Sequence, residues 1–77
     1  MTDRKLKKLQ KLLGMKNQKE LKKDVETCKK FYINEDWKYQ ERATIIIDSF
    51  MDILHLIKED TFTPLDVIGK IETAINY

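Results

Sequence analysis

Turn-forming residues are scarce in these 77 residues: two glycines and one proline are the only strong breakers. That scarcity excludes the frequent tight turns of a small all-β fold and predicts long helices. Cysteine is nearly absent too. With Cys28 alone, no intramolecular disulfide can staple the chain, and a reducing, cytoplasmic location is expected. No apolar run exceeds three residues, against the ~20 a membrane span requires. The opening MTDRKLKKLQKLL has neither the continuous apolar stretch nor the small-residue cleavage site of a secretory signal, so a soluble or peripheral protein is expected.

Chemistry-bearing patterns are missing as well. There is one histidine, no glycine-rich phosphate loop and no Cys/His ligand cluster. The expectation is therefore no cofactor, no metal, no small-molecule substrate and no enzymatic activity.

What the chain does have is enough apolar content to fold, 42%, beside 36% charged residues. Its length allows one domain, residues 1–77, and buries only about 60–65% of the surface that the unfolded chain exposes. The charge is unevenly placed. Residues 1–30 hold eleven Lys/Arg against four Asp/Glu, and residues 31–77 hold four against nine, inside a net of +2. A basic half attracts phosphates, anionic lipid or acidic protein surfaces, and the other half repels them.

Periodicity predicts four helices. The first spans about residues 3–13, with Thr2 or Asp3 as cap, Leu6, Leu9 and Leu13 on one face, and Gly14 as a left-handed terminator. Residues 1–14 form a short basic amphipathic helix that is free to move unless it docks. Asn17 caps the second helix, with Glu20 placed to reach back in a capping box. Leu21, Val25, Cys28 and Tyr32 make its apolar stripe, with Phe31 at the edge. Asn34 is the predicted cap of a third helix running from about residue 35 to 59. At ~100° per residue, Tyr39, Ala43, Ile46, Ile47, Phe50, Ile53, Leu54 and Ile57 fall on one face, which Ile45 and Leu56 widen to roughly 200°. So broad an arc predicts burial on two sides, by other helices or by a second copy of the chain. Thr63-Pro64 starts the fourth helix, with Leu65, Ile68, Ile71 and Ile75 as its apolar face and Gly69 inside it, as where another helix comes close. The predicted fold is all-α: a small antiparallel bundle of three longer helices plus the short N-terminal one, helix 3 central.

Candidate contact residues follow from these faces. Arg4, Lys7, Lys8 and Lys11 point away from the leucines of helix 1, and Lys19 and Lys23 continue the basic surface on helix 2. Other helix 2 cations are spaced for i,i+4 pairing, Lys22-Glu26 and Glu26-Lys30. A sequence-specific helix-turn-helix does not fit, because Glu20 and Lys23 stand where apolar residues are needed and Leu21 is one position out of phase. Leu/Lys amphipathicity over residues 4–13 suits a membrane surface, but that segment has no Trp or Phe anchor. On helix 3, Asp48, Asp52, His55 and Glu59 are spaced 4-3-4, an acidic stripe on one face. One His with carboxylates on a single straight helix leaves a metal incompletely coordinated, and Asp52 beside His55 lacks a nucleophile for catalysis. A solvated face that can receive a basic partner is the simpler expectation. Cys28 is expected to be a small buried hydrophobe. Trp37 either packs beneath the loop between helices 2 and 3 or anchors a partner, packing being favoured, and Tyr77 is expected to fray.

The expected function is a non-enzymatic protein-binding or regulatory module acting through helix faces, on another protein or a second copy of itself. A nucleic-acid-associated protein contacting phosphates through Arg4, Lys7, Lys8, Lys11, Lys19 and Lys23 is the alternative, and attachment to anionic membrane a second. In size and helical layout the chain is similar to small accessory proteins such as phage or plasmid regulators and bacteriocin immunity proteins.

Overall fold

Several helix ends lie where a side chain or a backbone twist satisfies orphan amides and carbonyls. The computed structural model describes residues 3–61 and 63–76, and the predicted Thr2 cap and the terminal Tyr77 lie outside them. Helix α1 spans Asp3–Leu13, with the Asp3 carboxylate in its first turn complementing the dipole. Gly14 does not take the predicted left-handed conformation: the described glycines have no positive φ. The helix instead tightens through amides of Gly14, Met15 and Lys16 donating to the carbonyls of Gln10, Leu12 and Leu13.

Helix α2 runs from Gln18 to Tyr32, and Asn17 caps it by accepting from the Lys19 amide at 2.9 Å. Glu20 stands exposed and makes no capping-box bond. The end of α2 displaces the predicted start of the next helix. Glu35 adopts φ 57°, and the amides of Asn34, Glu35 and Asp36 fold back onto the carbonyls of Lys29, Phe31 and Lys30. Asn34 therefore belongs to a turn. Asp36 caps a single 3-10 turn, Trp37–Tyr39, and α3 proper covers Gln40–Leu56.

Lys58, at φ 56°, stops α3 before residue 59. Its amide donates to His55 O and that of Glu59 to Leu54 O, both at 3.0 Å, the bonding pattern of a Schellman motif built on a non-glycine residue. Helix α4, Pro64–Asn76, starts as predicted, with the Asp66 amide donating to Thr63 Oγ1 at 3.1 Å.

Among the described residues the helices close around sixteen buried side chains, none of them polar or charged. All three α1 leucines belong to this core, with Leu9 completely covered. Facing residues give the directions: Lys30 lies by Tyr39, Cys28 by Ala43 and Asp24 by Ile46, so α2 and α3 are antiparallel. Lys29 meets Glu72 while Lys22 and Val25 face Ile75 and Asn76, so α2 and α4 are antiparallel as well. Helix α1 lies along α4 in the same sense, Leu6 near Leu65 and Gly69, and Gln10 donating to Ala74 O at 3.3 Å. Helix α3 packs against each of the other three, and so does α4.

Two predicted faces turn out differently. On α3 the centre of the broad arc is buried, but Ile45 and Leu56 stay 64% and 72% exposed, so one chain covers only part of it. On α4 the buried set is Val67, Ile68, Ile71 and Ala74, with Leu65 half exposed and Ile75 half-buried. Three neighbours press on α4, and their joint position rotates its covered face away from the stripe that periodicity alone selects. Gly69, in turn, marks no close approach: a Cβ there would meet nothing within 4 Å.

Two substitutions test this packing. Leu9→Ala is expected to lower unfolding free energy by about 2–5 kcal/mol in urea denaturation, whereas an undocked α1 would leave it within about 0.5 kcal/mol. Gly69→Ala is expected to raise stability by about 0.5–1 kcal/mol, since the added methyl enters open space and glycine's helical entropy cost disappears.

Candidate functional site

Burying Leu6, Leu9 and Leu13 turns Arg4, Lys7, Lys8 and Lys11 to solvent, because leucines and cations alternate with helical spacing along α1. All four are exposed, as are Lys19 and Lys23 on the first half of α2, and Lys16 between them. Among the described residues, no carboxylate pairs with any of these cations.

Three other lysines hold helices together. Beyond the Lys58 twist, the Glu59 carboxylate, with a side chain only 11% exposed, lies 3.3 Å from Lys5 Nζ of α1 and 3.2 Å from Lys70 Nζ of α4. Lys5 also donates to Lys58 O at 2.9 Å, and Lys70 donates to Asp60 O and pairs with Asp66 at 3.3 Å. Lys29 joins α2 to α4 through Glu72. The predicted Lys22-Glu26 and Glu26-Lys30 pairs are not closed: those side chains remain exposed, and the ion pair of α2 is interhelical.

Glu59 therefore leaves the acidic stripe to which its spacing assigned it. The stripe presumed a straight helix through residue 59, and the left-handed Lys58 swings Glu59 inward. Burial works against its charge, but hydrogen bonds from Lys70 and Lys5 outweigh this and hold the carboxyl below its ordinary 4.5. Burial also disfavours the Lys70 ammonium, yet Glu59 and Asp66 raise it above its ordinary 10.5. With Glu59 depressed, its contribution is complete above 4.5 and is lost as pH falls through the lower folded value. With Lys70 raised, its contribution is complete below 10.5 and is lost as pH rises through the higher folded value.

On the outer side of α3, Asp48, Asp52 and His55 are exposed, and Ile45 and Leu56 stand at either end of the strip. Ile45, Asp52 and Leu56 project within about 40° of one another around the helix. Trp37 is not covered as expected. It is 69% exposed, because the 3-10 turn carries it outside the bundle, where its ring meets Phe31 edge to face at 5.6 Å. Neighbouring Tyr39 has Lys30 and Lys38 ammoniums 5.0 and 5.4 Å from its ring centroid.

No group of three His, Cys, Asp or Glu side chains that could hold a metal is formed among the described residues. Cys28 is fully covered, and burial first, then Asp24, pushes its thiol up to about 12, which keeps it protonated and unreactive. Shallow grooves flank α4, one of about 520 Å³ beside α1 and one of about 220 Å³ beside α2, and His55 lines neither. No described helix is long and apolar enough to cross a membrane.

The sequence pattern identified the cations of α1 and of early α2, which the structure leaves open, but it missed the Lys5-Glu59-Lys70 clasp. Only the Asp66-Lys70 spacing signalled any part of it. Glu59→Gln is expected to cost about 1–2 kcal/mol near neutral pH. In urea unfolding from about pH 7 to about pH 2, the gap to wild type should close below 4.5, as protonation removes the same charge from the parent. Compared with protein-family models, with curated proteins and with solved structures, the chain matches none.

Proposed function

We propose that the protein is a non-enzymatic binding or regulatory module, of inhibitor, immunity or accessory type, that uses its basic helix faces to engage an acidic surface on another protein. One observation carries this: some basic residues complete the fold while those on α1 and early α2 stay open. Lys5, Lys29 and Lys70 are locked into interhelical pairs, while Arg4, Lys7, Lys8, Lys11, Lys19 and Lys23 remain exposed without a partner carboxylate among the described residues. Long basic side chains at an interface steer encounter and set orientation, and their methylene stems cover apolar surface. We place the protein in the cytoplasm, which suits a lone, buried, unpaired thiol. Phosphate contact is the second use of the same cations. Base stacking finds little support beside them, since the exposed Trp37 follows the far end of α2.

Titration of labelled glutamate-rich peptide, random-sequence duplex DNA, single-stranded RNA and anionic vesicles, each from about 50 to about 500 mM salt, tests the proposal. Peptide binding that weakens tenfold or more in Lys7→Glu/Lys11→Glu, at unchanged helix content, is the expected result. Tighter, steeply salt-dependent retention on nucleic acid would assign the face to phosphates, and preferential co-sedimentation with vesicles would assign it to a membrane surface. Absence of binding to every probe at low salt would overturn the proposal.

A further inference from the structure

We infer that the outer strip of α3, Asp48 and Asp52 between Ile45 and Leu56, is a docking surface for α1 of a second copy of this chain. The inference rests on α1 being the protein-binding face proposed above, and it names the first acidic surface that face meets. Three observations support it. First, the charges match in spacing: Lys7 and Lys11 are four positions apart on α1, as Asp48 and Asp52 are on α3, so each pair rises about 6 Å along its helix. Two helices laid side by side can therefore meet charge for charge at both positions.

Second, the strip has apolar ends. Ile45 and Leu56 are 64% and 72% exposed on either side of the two aspartates along α3, the two members of its broad arc that the chain's own helices leave exposed. Lysine stems laid across them would shield that surface while the ammoniums reach the aspartates. Third, both faces are available. Lys7, Lys11, Asp48 and Asp52 are all exposed, and none has an ion pair among the described residues.

The alternative of two α3 strips facing each other is electrostatically poor. A two-fold axis near the middle of the strip would bring Asp48 and Asp52 of one copy against the same residues of the other. Docking α1 onto α3 replaces that repulsion with attraction. Every copy carries both faces, so contacts made reciprocally close a dimer, and contacts made singly extend a chain.

Sedimentation velocity reads the association directly. Wild-type protein at up to about 1 mM is expected to show a weight-average mass above 9.2 kDa at about 50 mM salt and to return to it near 500 mM. Asp48→Lys/Asp52→Lys and Lys7→Glu/Lys11→Glu, each alone, should associate at least tenfold more weakly. Their equimolar mixture should recover association, because each reversed face then finds its complement on the other variant. Circular dichroism checks that both fold; if either does not, Asp48→Asn/Asp52→Asn and Lys7→Gln/Lys11→Gln must each show the same loss. A monomeric wild type at low salt overturns the inference, as does association that survives either reversal or a mixture of folded variants that stays monomeric. A wild type that is monomeric yet binds glutamate-rich peptide through Lys7 and Lys11 overturns self-docking while leaving α1 as a protein-binding face.

Discussion

Four amphipathic helices, the first of them too short to persist alone, must share one apolar core, and every other feature of this protein is arranged around that requirement. An isolated helix of 11 residues is marginal in water. Leu6, Leu9 and Leu13 become stable only by entering the layer that Phe50, Leu54 and Ile71 already occupy. Burying each such leucine is worth about 1.5–3 kcal/mol, a gain that α1 forgoes if it does not dock. Since the buried residues described are all apolar, side-chain hydrogen bonding within them comes down to the Cys28 thiol donating to Ala43 O at 3.9 Å. Orientation comes from the helix ends and the charged contacts at its rim.

The two left-handed residues show how the rim does this. Glu35 and Lys58 are neither glycine nor asparagine, and each pays a conformational penalty of about 1–2 kcal/mol. Both sit where a helix must stop so that the chain can return to the core. At Lys58 the return has a second effect: it delivers Glu59 between Lys5 and Lys70, so one carboxylate ties the N-terminal helix, the end of α3 and the last helix together. Lys5 stays 36% exposed, so solvent screens that arm of the clasp more than the Lys70 arm, where both side chains are under 20% exposed.

The charge split acquires a different meaning once the pairs are known. Three basic residues complete the fold, and of the cations left over seven lie on α1 and the first half of α2. Their acidic counterpart is smaller than spacing alone suggests, because Glu59 is withdrawn from it. Asp48 and Asp52 remain, flanked by apolar side chains.

Local sequence determined the helical class, the α1 span, the Asn17 and Thr63 caps, the burial of Cys28 and the outward face of α1. All of these depend on contacts within one or two turns, where periodicity and capping chemistry act directly. Other features were decided by tertiary structure. Trp37 was left outside by a 3-10 turn that exists because α2 needed a left-handed end at Glu35. The covered face of α4 was set by three helices pressing on it at once, so Val67 and Ala74 replaced Leu65 in the core. Glu59 joined Lys5 across more than fifty residues of chain, a pairing no local pattern encodes, since only the folded path of the backbone brings those charges within reach.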